Sequence, residues 1–422
     1  MRRKRADLAR TVMQRIEALA KISDDPNCLT RTFCSPAMGR ANALVGSWMR
    51  QAGMSVRIDA IGNLIGHYPG NSKRETRNSK VFLLGSHLDT VRNAGKFDGP
   101  LGVLVAIACV QHFHDSKTRF PFDIAVVGFA DEEGIRYQST YLGSKALAGT
   151  FNPKELKRRD SDGISMADAV RRFGGKPEEI RKAKLDRRRL LGYAEVHIEQ
   201  GPVLEKRNLS VGVVNAIAGQ VRMRLNFIGR AGHAGTTPMN LRRDALCAAA
   251  EFISGLEAIA RRTKGLVATV GEITSLPGAS NVIPGEVRTS VDVRHPTDAI
   301  RNRAISTLRR NAVEISRRRK IKVTAQIVHQ AAAIRCDERL TASLTKAAKQ
   351  HQKEVLLLPS GAGHDAAAMA AVTPVAMLFV QCKGGVSHHP EESVRIGDID
   401  VAISVARTFI EQLADQVHDE FT

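Results

Sequence analysis

Short apolar segments that alternate with helix-length segments constrain the fold of this chain more than any other feature of its sequence. Three of them, 81–86, 122–130 and 193–199, lie in the first half, and each runs directly into polar residues. Pro100 opens a helix-type segment between the first two, at a position that proline favours. Strands separated by helices of this length predict an α/β fold with a mostly parallel sheet and helices on both faces. Ligands of such sheets bind beyond the carboxyl ends of the strands, so the polar residues there are the first site candidates.

The middle of the chain follows a different pattern, in which polar and apolar residues alternate along segments such as 220–229 and 286–294. Alternation with a period of two predicts strands that bury one face, and two long helix-type segments can cover that face. We therefore predict a small α+β domain here, inserted into an α/β domain whose pattern resumes after it. The predicted boundaries are 1–214 for the first part of the α/β domain, 215–330 for the insertion and 331–422 for the second part.

The charge of the chain is strongly basic, with 63 Lys and Arg against 43 Asp and Glu and a formal net charge of +20. Nucleic-acid binding is compatible with such a charge, because it rests largely on phosphate contacts. The cations are spread along the chain, however, and aromatic residues make up only 5%, too few for platforms on which bases stack. We therefore favour a solvated, arginine-rich surface that attracts small anions, and we predict no nucleic-acid partner.

The sequence also bears on the compartment. No run of about 18 apolar residues is present, so we predict no membrane-spanning helix and no membrane partner. The basic N-terminus is followed by an amphipathic segment, which argues against a secretory signal peptide. The six cysteines are scattered without a C-x-x-C pair, which excludes a zinc ribbon and a thioredoxin-type motif. We therefore expect a cytoplasmic protein with free thiols.

A histidine and two aspartates follow the first apolar segment. On extended backbone His87 and Asp89 point the same way, so Asp89 is placed to hold the imidazole of a metal-binding His87. Asp98 stands in a loop just before Pro100, where a carboxylate either reaches inward as a ligand or caps the helix. The residues alone leave both interpretations of Asp98 open.

Three consecutive acids, Asp131, Glu132 and Glu133, follow the second apolar segment. Adjacent glutamates at a strand end point in different directions, so one can bind a metal while the other faces a water molecule. Three neighbouring acids repel one another unless cations compensate them. Taken alone, however, such a run is more typical of a solvated acidic turn.

Two further clusters contain histidines near strand ends. The third apolar segment contains His197, with Glu199 alternating onto the same side, and His388 follows an apolar segment at 374–380. A single histidine is more often structural than a ligand, but four clusters in one α/β domain favour a common site. Nitrogen and carboxylate donors suit zinc, manganese, cobalt or nickel better than copper(I) or an iron–sulfur cluster. Two such metals would activate a water and polarise a carbonyl, and Asp98 is a candidate to bridge them.

Other catalytic signatures are absent, since the sequence contains no G-x-S-x-G, Walker or G-x-G-x-x-G motif. The predicted insertion adds His233, which is flanked by small residues, Asn281 and Arg294. An arginine can bind a carboxylate through two parallel hydrogen bonds. The alternative is that Arg294 is one more solvated charge in an arginine-rich chain.

Together these segments resemble the M20 metallopeptidase family, in its amidase branch of allantoate amidohydrolases and N-carbamoyl-L-amino-acid hydrolases. The similarity extends from about residue 55 to 415, and a histidine followed by Ile-Glu-Gln-Gly-Pro is typical of that branch. Within that branch, the motif sequences are most similar to those of the allantoate amidohydrolases. The motifs that carry the resemblance are 85–91 with 95–99, 131–134, 197–202, 229–238, 281–285, 361–365 and 387–392.

The resemblance implies a dimetal exopeptidase-like catalytic domain and an inserted lid that also forms a homodimer. It implies two divalent ions per subunit, manganese or zinc, with cobalt or nickel as further options. In the roles that the resemblance implies, His87 and His197 bind one metal, Glu133 and His388 bind the other, and Asp98 bridges them. Glu132 is the implied general base and acid, and Asp89 orients His87. The implied substrate contacts, with Arg294 on the substrate carboxylate, are Gln200, His233, Asn281, Arg294 and His364.

The implied reaction is hydrolysis of a ureido group on a small anionic substrate. Allantoate, giving ureidoglycine with release of ammonia and carbon dioxide, is the first expectation, and N-carbamoyl-L-amino acids are the alternative. Two departures from the pattern are Asn240, where an acid is frequent, and His389, which competes with His388 as the ligand. The resemblance does not account for the basic net charge.

Overall fold

The computed structural model describes residues 2–71 and 79–421. The chain divides into two compact units. The first consists of Met1–Asn215, Cys336–Leu358 and Ala362–Thr422, and the second of Ala216–Arg335 and Pro359–Gly361.

The helices and strands alternate along most of the chain. The helices are α1 (Arg2–Ala20), α2 (Pro36–Gln51), α3 (Pro100–Asp115), α4 (Leu142–Ala148), α5 (Met166–Arg172), α6 (Val203–Arg207), α7 (Ala245–Arg262), α8 (Asp298–Arg319), α9 (Glu338–Lys349), α10 (Asp365–Met369) and α11 (Ile396–Phe421). The strands are β1 (Ser55–Ile58), β2 (Leu64–Tyr68), β3 (Val81–His87), β4 (Asp123–Phe129), β5 (Leu190–Ile198), β6 (Val211–Ile217), β7 (Gly219–Ile228), β8 (Gly232–His233), β9 (Val267–Thr269), β10 (Ile273–Leu276), β11 (Val282–Ile283), β12 (Glu286–His295), β13 (Lys322–Ala331), β14 (Ile334–Arg335), β15 (Leu357–Ser360) and β16 (Val375–Val380).

The sheet of the first unit has a parallel centre with antiparallel flanks. Strands β4, β3, β5 and β16 are neighbours in that order and run parallel. Strand β2 pairs antiparallel with β4, β1 with β2, and β6 with β16. The α/β class is confirmed, with the qualification that β1, β2 and β6 extend the parallel centre through antiparallel pairs. The turn between β1 and β2 is too short for the crossover that parallel neighbours need, which explains why these two strands are antiparallel.

Helix α3 is the central helix of the first unit. It starts at Pro100, as the sequence predicts, and is buried along nearly its whole length. It packs against β3, β4 and β5 on one side and against α1 and α11 on the other. This burial on all sides explains why its sequence lacks a polar face, and it fixes the loop of Asp98 at the start of the helix.

The second unit is a separate α+β structure with its own core. Strands β10, β12, β7 and β13 are adjacent in that order, with β9 also on β12, and all of these pairs are antiparallel. Along β12, Val287, Thr289, Val291 and Val293 are buried, as their alternation predicts. They pack with α7 and α8, which cover one face of the sheet.

Within residues 2–71 and 79–421, no helix is both long enough and apolar enough to cross a membrane. All six cysteines are free thiols.

Candidate metal centre

The candidate ligands lie at one edge of the sheet because their strands are parallel neighbours. His87 is the last residue of β3 and pairs with Phe129, the last residue of β4, two residues before the first of the three acids. His197 lies near the end of β5, opposite Phe379 of β16. Since the carboxyl ends of parallel strands meet at the same edge, residues far apart in sequence converge there.

Asp98 lies between two groups of ligand atoms. Its Oδ1 is 3.0 Å from Nε2 of His197 and 3.7 Å from Nε2 of His87. Its Oδ2 is 3.0 Å from Nε2 of His388, which is in turn 3.4 Å from Oε1 of Glu133. The side chain does not cap α3, whose N-cap is Gly99 without a side-chain hydrogen bond. The ligand interpretation of Asp98 therefore fits the geometry, and the capping interpretation does not.

The glycine after Asp98 is required by the same geometry. Gly99 has φ of 82°, and a Cβ built on it would lie 2.4 Å from the ring of His87. Only glycine adopts this conformation without strain and leaves the space that the imidazole occupies.

The two buried histidines have the protonation pattern of metal ligands. Nδ1 of His87 is 3.0 Å from the carbonyl oxygen of Asp89, and Nδ1 of His197 is 2.9 Å from that of Ile198. Because a carbonyl oxygen only accepts, each Nδ1 carries a proton, and in the neutral ring Nε2 is then available to bind a cation. Burial lowers the pKa of both rings, but hydrogen bonds to carboxylates, that of Asp98 among them, outweigh it and raise the pKa, so without a cation each Nε2 is protonated and donates to Asp98. The two Nε2 atoms are 3.5 Å apart and both face Asp98 Oδ1. Three electron-rich atoms that converge in this way fit a divalent cation between them.

Two groups of possible metal ligands therefore share Asp98. One consists of His87, Asp98 and His197, and the other of Asp98, Glu133 and His388. Glu132 joins His87 and Glu133 in a third group, in which the ligand atoms all lie within 4.8 Å of one another. The structure brings together all six residues that the sequence analysis placed on the metals or on the attacking water.

The electrostatics of this cluster reflect burial and close charges. Burial raises the pKa of Asp98, but hydrogen bonds from His197, His388 and His87 outweigh it and hold the pKa well below its usual value. Burial, and next the charge of Glu133, raise the pKa of Glu132 well above its usual value. The pKa of Glu133 is raised to about 7, first by burial and then by Asp98. A carboxyl group with a raised pKa at such a site is a candidate for proton transfer.

Asp89 acts mainly on the backbone. Its carboxylate accepts hydrogen bonds from the N–H groups of Glu132 and Glu133, at 3.0 and 3.1 Å. Its Oδ1 is 3.5 Å from Nδ1 of His87, farther than the backbone carbonyl of Asp89 itself. Asp89 thus orients the acidic turn through its carboxylate and orients His87 chiefly through its carbonyl oxygen.

Glu199 does not lie beside His197, which contradicts the prediction that both point to one side. Strand β5 ends at Ile198, so the alternation of side chains stops before Glu199. Its carboxylate instead accepts hydrogen bonds from the N–H groups of Val203 and Leu204, at the start of α6.

Two predicted substrate residues of the first unit lie close to the candidate ligands. The amide nitrogen of Gln200 donates to Asp98 Oδ2 and to Ser387 Oγ, both at 3.1 Å. The ring of His364 is buried edge-on against that of His197, with 4.5 Å between the ring centres. Burial, followed by the charge of His197, lowers the pKa of His364 well below its usual value, so its ring is neutral.

The other three predicted substrate residues belong to the second unit. His233 and Asn281 lie on neighbouring backbone, since Val282 pairs with His233 and the N–H of Ala234 donates to the carbonyl of Asn281. Nδ1 of His233 accepts from the N–H groups that follow it in the turn. The guanidinium of Arg294 donates Nε and Nη2 to the carboxylate of Asp292, at 2.9 and 2.8 Å. Arg294 is therefore held in place by an acid, which its sequence position does not reveal.

The structure distinguishes His388 from His389. His388 faces Asp98 and Glu133, and its backbone has φ of 57°, a left-handed conformation that is rare outside glycine. His389 is exposed, and its Nδ1 accepts from the N–H of Glu391. Left-handed backbone at residues other than glycine concentrates at functional sites, where the surroundings hold it in place.

The sequence alone did not identify one buried acid at the site, Glu392, as a functional residue. Glu392 is 2% exposed and accepts hydrogen bonds from the backbone of Phe97 and Asp98. It belongs to the motif 387–392, but the adjacent pair Glu391 and Glu392 gives no local sign of which carboxylate is buried.

Comparisons with known proteins agree with this geometry. A family model described as peptidase family M20/M25/M40 matches residues 83–412. A probable allantoate deiminase of Oryza sativa subsp. japonica is 40% identical over 434 residues, covering 95% of this chain and 87% of the relative. An N-carbamoyl-L-amino acid amidohydrolase of Geobacillus stearothermophilus is 39% identical over 402 residues, covering 95% and 97%.

A solved structure has the same fold. The amidase of the hydantoinase/carbamoylase family from Burkholderia multivorans superposes with a TM-score of 0.90 at 29% sequence identity, covering 96% of this chain and 98% of that one. The resemblance found in the sequence motifs is thereby confirmed at the level of the family. With the family model spanning most of the chain and the ligand groups at the strand ends where the motifs predicted them, this protein belongs to peptidase family M20/M25/M40.

Proposed function

We propose that this protein is a metal-dependent amidohydrolase that cleaves the ureido group of a small anionic substrate, and that allantoate is that substrate. The observation that carries the proposal is the position of Asp98, with one oxygen facing His87 and His197 and the other facing His388. A carboxylate placed in this way is suited to bridge two divalent ions. The relatives named for allantoate and for N-carbamoyl-L-amino acids support hydrolysis of a C–N bond.

In the proposed centre His87 and His197 would hold one ion, Glu133 and His388 would hold the other, and Asp98 would contribute to both. When bound, the ions supply Lewis-acid activation of a water and polarisation of the ureido carbonyl. We propose manganese first and zinc second, since both accept mixed nitrogen and oxygen donors.

Glu132 is the proposed proton carrier. Its carboxylate takes a proton from the attacking water and then delivers it to the leaving nitrogen, so that one residue serves as base and as acid. Its position in the group with His87 and Glu133, and its raised pKa, support this role. Asp89 accepts hydrogen bonds from the backbone N–H groups of Glu132 and Glu133 and so fixes the turn that carries both carboxylates.

The expected substrate contacts remain Gln200, His233, Asn281, Arg294 and His364. Arg294 is the proposed partner of the substrate carboxylate, because a guanidinium matches a carboxylate in a planar, two-point contact. The neutral ring of His364 would add a hydrogen bond without adding charge.

N-carbamoyl-L-amino acids are the second candidate, favoured by the relative from Geobacillus stearothermophilus, whose identity is nearly that of the rice protein. Both substrates offer a ureido group and a carboxylate, so the proposed centre suits either. The decisive experiment measures ammonia release by protein stripped with a chelator and reloaded with manganese. We expect kcat/KM at least about tenfold higher on allantoate than on any of several N-carbamoyl-L-amino acids, a difference of about 1.4 kcal/mol. The opposite order would assign the second activity, and no ammonia from either would overturn the proposal.

We also propose a homodimer formed through the second unit. Strand β13 ends the five-stranded sheet, and its residues Ile327 and Val328 are 39% and 50% exposed. An exposed apolar edge strand is a site for pairing with another chain. Sedimentation analysis should therefore give a dimer that Val328→Lys weakens, while Val313→Lys, at a similarly exposed position of α8, leaves it intact. A monomeric wild type would contradict the proposal.

The cytoplasm remains the proposed compartment, supported by six free thiols.

A further inference from the structure

Glu392 is a buried carboxylate for which the proposed catalysis has no role. One of its oxygens, Oε1, accepts hydrogen bonds from the N–H groups of Phe97 at 2.7 Å and Asp98 at 3.0 Å. It therefore holds the backbone of the residue whose side chain lies between the two ligand groups. The two partners are separated by about 295 residues, so no local structure accounts for the contact.

The second oxygen of Glu392 connects to the other ligand turn. Ser387 Oγ lies 3.2 Å from Glu392 Oε2 and 3.1 Å from Asp98 Oδ2. A hydroxyl has one hydrogen to donate, so Ser387 serves one of these two carboxylates at a time. Ser387 also accepts from the amide of Gln200 and directly precedes His388. One network thus joins the Asp98 turn to the His388 turn.

Gly95 gives independent evidence that this position is fitted to the Glu392 side chain. A Cβ built on Gly95 would lie 2.2 Å from the carboxyl carbon of Glu392 and 2.4 Å from its Oε1. Gly95 is not among the residues with positive φ, so its backbone conformation does not call for glycine. The lack of a side chain at Gly95 is explained by the space that the Glu392 carboxylate occupies.

We propose that Glu392 is a positioning residue that fixes the Asp98 turn against the His388 turn and thereby sets the affinity of the group Asp98, Glu133 and His388 for a divalent ion. The inference rests on the proposed function only in that these residues bind the metal. Glu392 belongs to none of the possible ligand groups among the described residues, so it acts through Asp98 and Ser387. Loss of such an outer partner of a metal ligand typically weakens metal binding 10–100-fold.

The test is a manganese titration of chelator-stripped protein, followed by calorimetry, for the wild type and Glu392→Ala. His388→Ala identifies the binding step of the group Asp98, Glu133 and His388, because His388 is a ligand of that group and not of the group His87, Asp98 and His197. We expect Glu392→Ala to weaken the same step about 10–100-fold and the other step less than threefold. Glu391→Ala, whose side chain is 81% exposed, is the matched control and should match the wild type in both steps.

Two further variants keep the inference testable if Glu392→Ala does not fold. Gly95→Ala places a methyl group against the carboxylate and should weaken the same step without removing any polar group. Glu392→Gln keeps an oxygen for both backbone N–H groups and should lose less affinity than Glu392→Ala.

The outcomes separate this inference from the proposed function. Two wild-type manganese sites with unchanged affinities in Gly95→Ala and Glu392→Ala would overturn the inference alone. A lower thermal stability of the metal-free variants with unchanged affinity would assign Glu392 a purely structural role and would also overturn it. A wild type that binds no manganese would overturn the proposed function.

Discussion

Asp98 presents its two carboxylate oxygens to different partners, and this single side chain organises the chemistry of the site. The low pKa that its histidine partners impose keeps it ionised across the physiological pH range. Glu132 differs from it, since burial and the neighbouring Glu133 favour its protonated form. Two acids with pKa values driven apart in this way are suited to separate tasks, one as a permanent ligand and the other as a proton carrier.

The proposed role of Glu132 predicts the behaviour of Glu132→Gln. The amide keeps the shape of the side chain but cannot accept and return a proton, so kcat should fall by about 10²–10⁴-fold. Metal content, measured by elemental analysis, should stay at the wild-type value. Glu133→Gln is the matched comparison and should lose metal. A metal-free Glu132→Gln beside a fully loaded Glu133→Gln would reverse the two roles.

The proposed carboxylate anchor predicts a selective effect of Arg294→Lys. A lysine cannot reproduce the two-point contact, and loss of a hydrogen bond to a charged group costs about 1.5–3 kcal/mol, or roughly 10–150-fold in kcat/KM. Arg222→Lys is the control, because Arg222 contacts the same Asp292 carboxylate at 3.1 Å from a more exposed position. Equal losses on a charged substrate and on its neutral amide analogue would make Arg294 a structural residue.

At the scale of the elements, the order of the parallel strands decides which side chains meet. Strand β3 lies between β4 and β5, and β16 lies beyond β5, so the ligand-bearing ends are adjacent.

The segment after β3 is held from outside the sheet by Arg31, a cation that is 1% exposed. Its Nε donates to the carbonyl of Leu88 at 2.6 Å, and its Nη1 donates to the carbonyls of Leu19 and Ile22. Arg31 thus ties the segment that carries His87 to the end of α1.

This arrangement predicts that Arg31→Met is strongly destabilising. The substitution leaves three carbonyl oxygens without their donor, and each buried polar group left unsatisfied costs about 1–3 kcal/mol. Urea unfolding should show a loss of at least about 3 kcal/mol. Arg40→Met removes a single hydrogen bond from an exposed arginine and should change the stability by less than about 0.5 kcal/mol. Similar losses of unfolding free energy in the two variants would show that the hydrogen bonds of Arg31 do not hold the segment after β3 against the end of α1.

At the scale of the whole molecule, each of the two units has its own core, and all of the metal-ligand candidates belong to the first. The buried carboxylates of Glu132, Glu133 and Asp98 oppose folding of that unit when no cation is bound, because like charges lie close together. Bound ions should therefore contribute to its stability as well as to activity.

Metal removal consequently has two expected effects. Chelator-treated protein should lose its hydrolase activity and regain it with manganese. Its unfolding free energy should rise by about 2.7 kcal/mol for each site at which free manganese reaches 100 times the Kd of that site. Scanning calorimetry with and without the ion measures this change, and His87→Ala combined with His388→Ala should abolish it. Full activity of metal-free protein, or an equal stabilisation of the double variant, would contradict the dimetal centre.

Much of the fold follows from local patterns. The strands around 81–86 and 122–130, the start of α3 at Pro100 and the alternation along β12 were all predictable, because side-chain periodicity and proline geometry act between near neighbours. Strands β1 and β6 were not predicted. Strand β1 is mostly exposed and lacks a clear alternation, and β6 is buried on both faces like a helix core.

The sequence by itself determined the residue types of the site and their places at strand ends, since motif spacing and strand periodicity are local properties. Tertiary structure alone decided between chemically identical neighbours. It buried Glu392 and exposed Glu391, turned His388 rather than His389 towards Asp98, and left Glu199 outside the cluster. The physical reason is that these choices depend on contacts between segments hundreds of residues apart, such as Glu392 with the backbone of Phe97, and no local pattern contains that information.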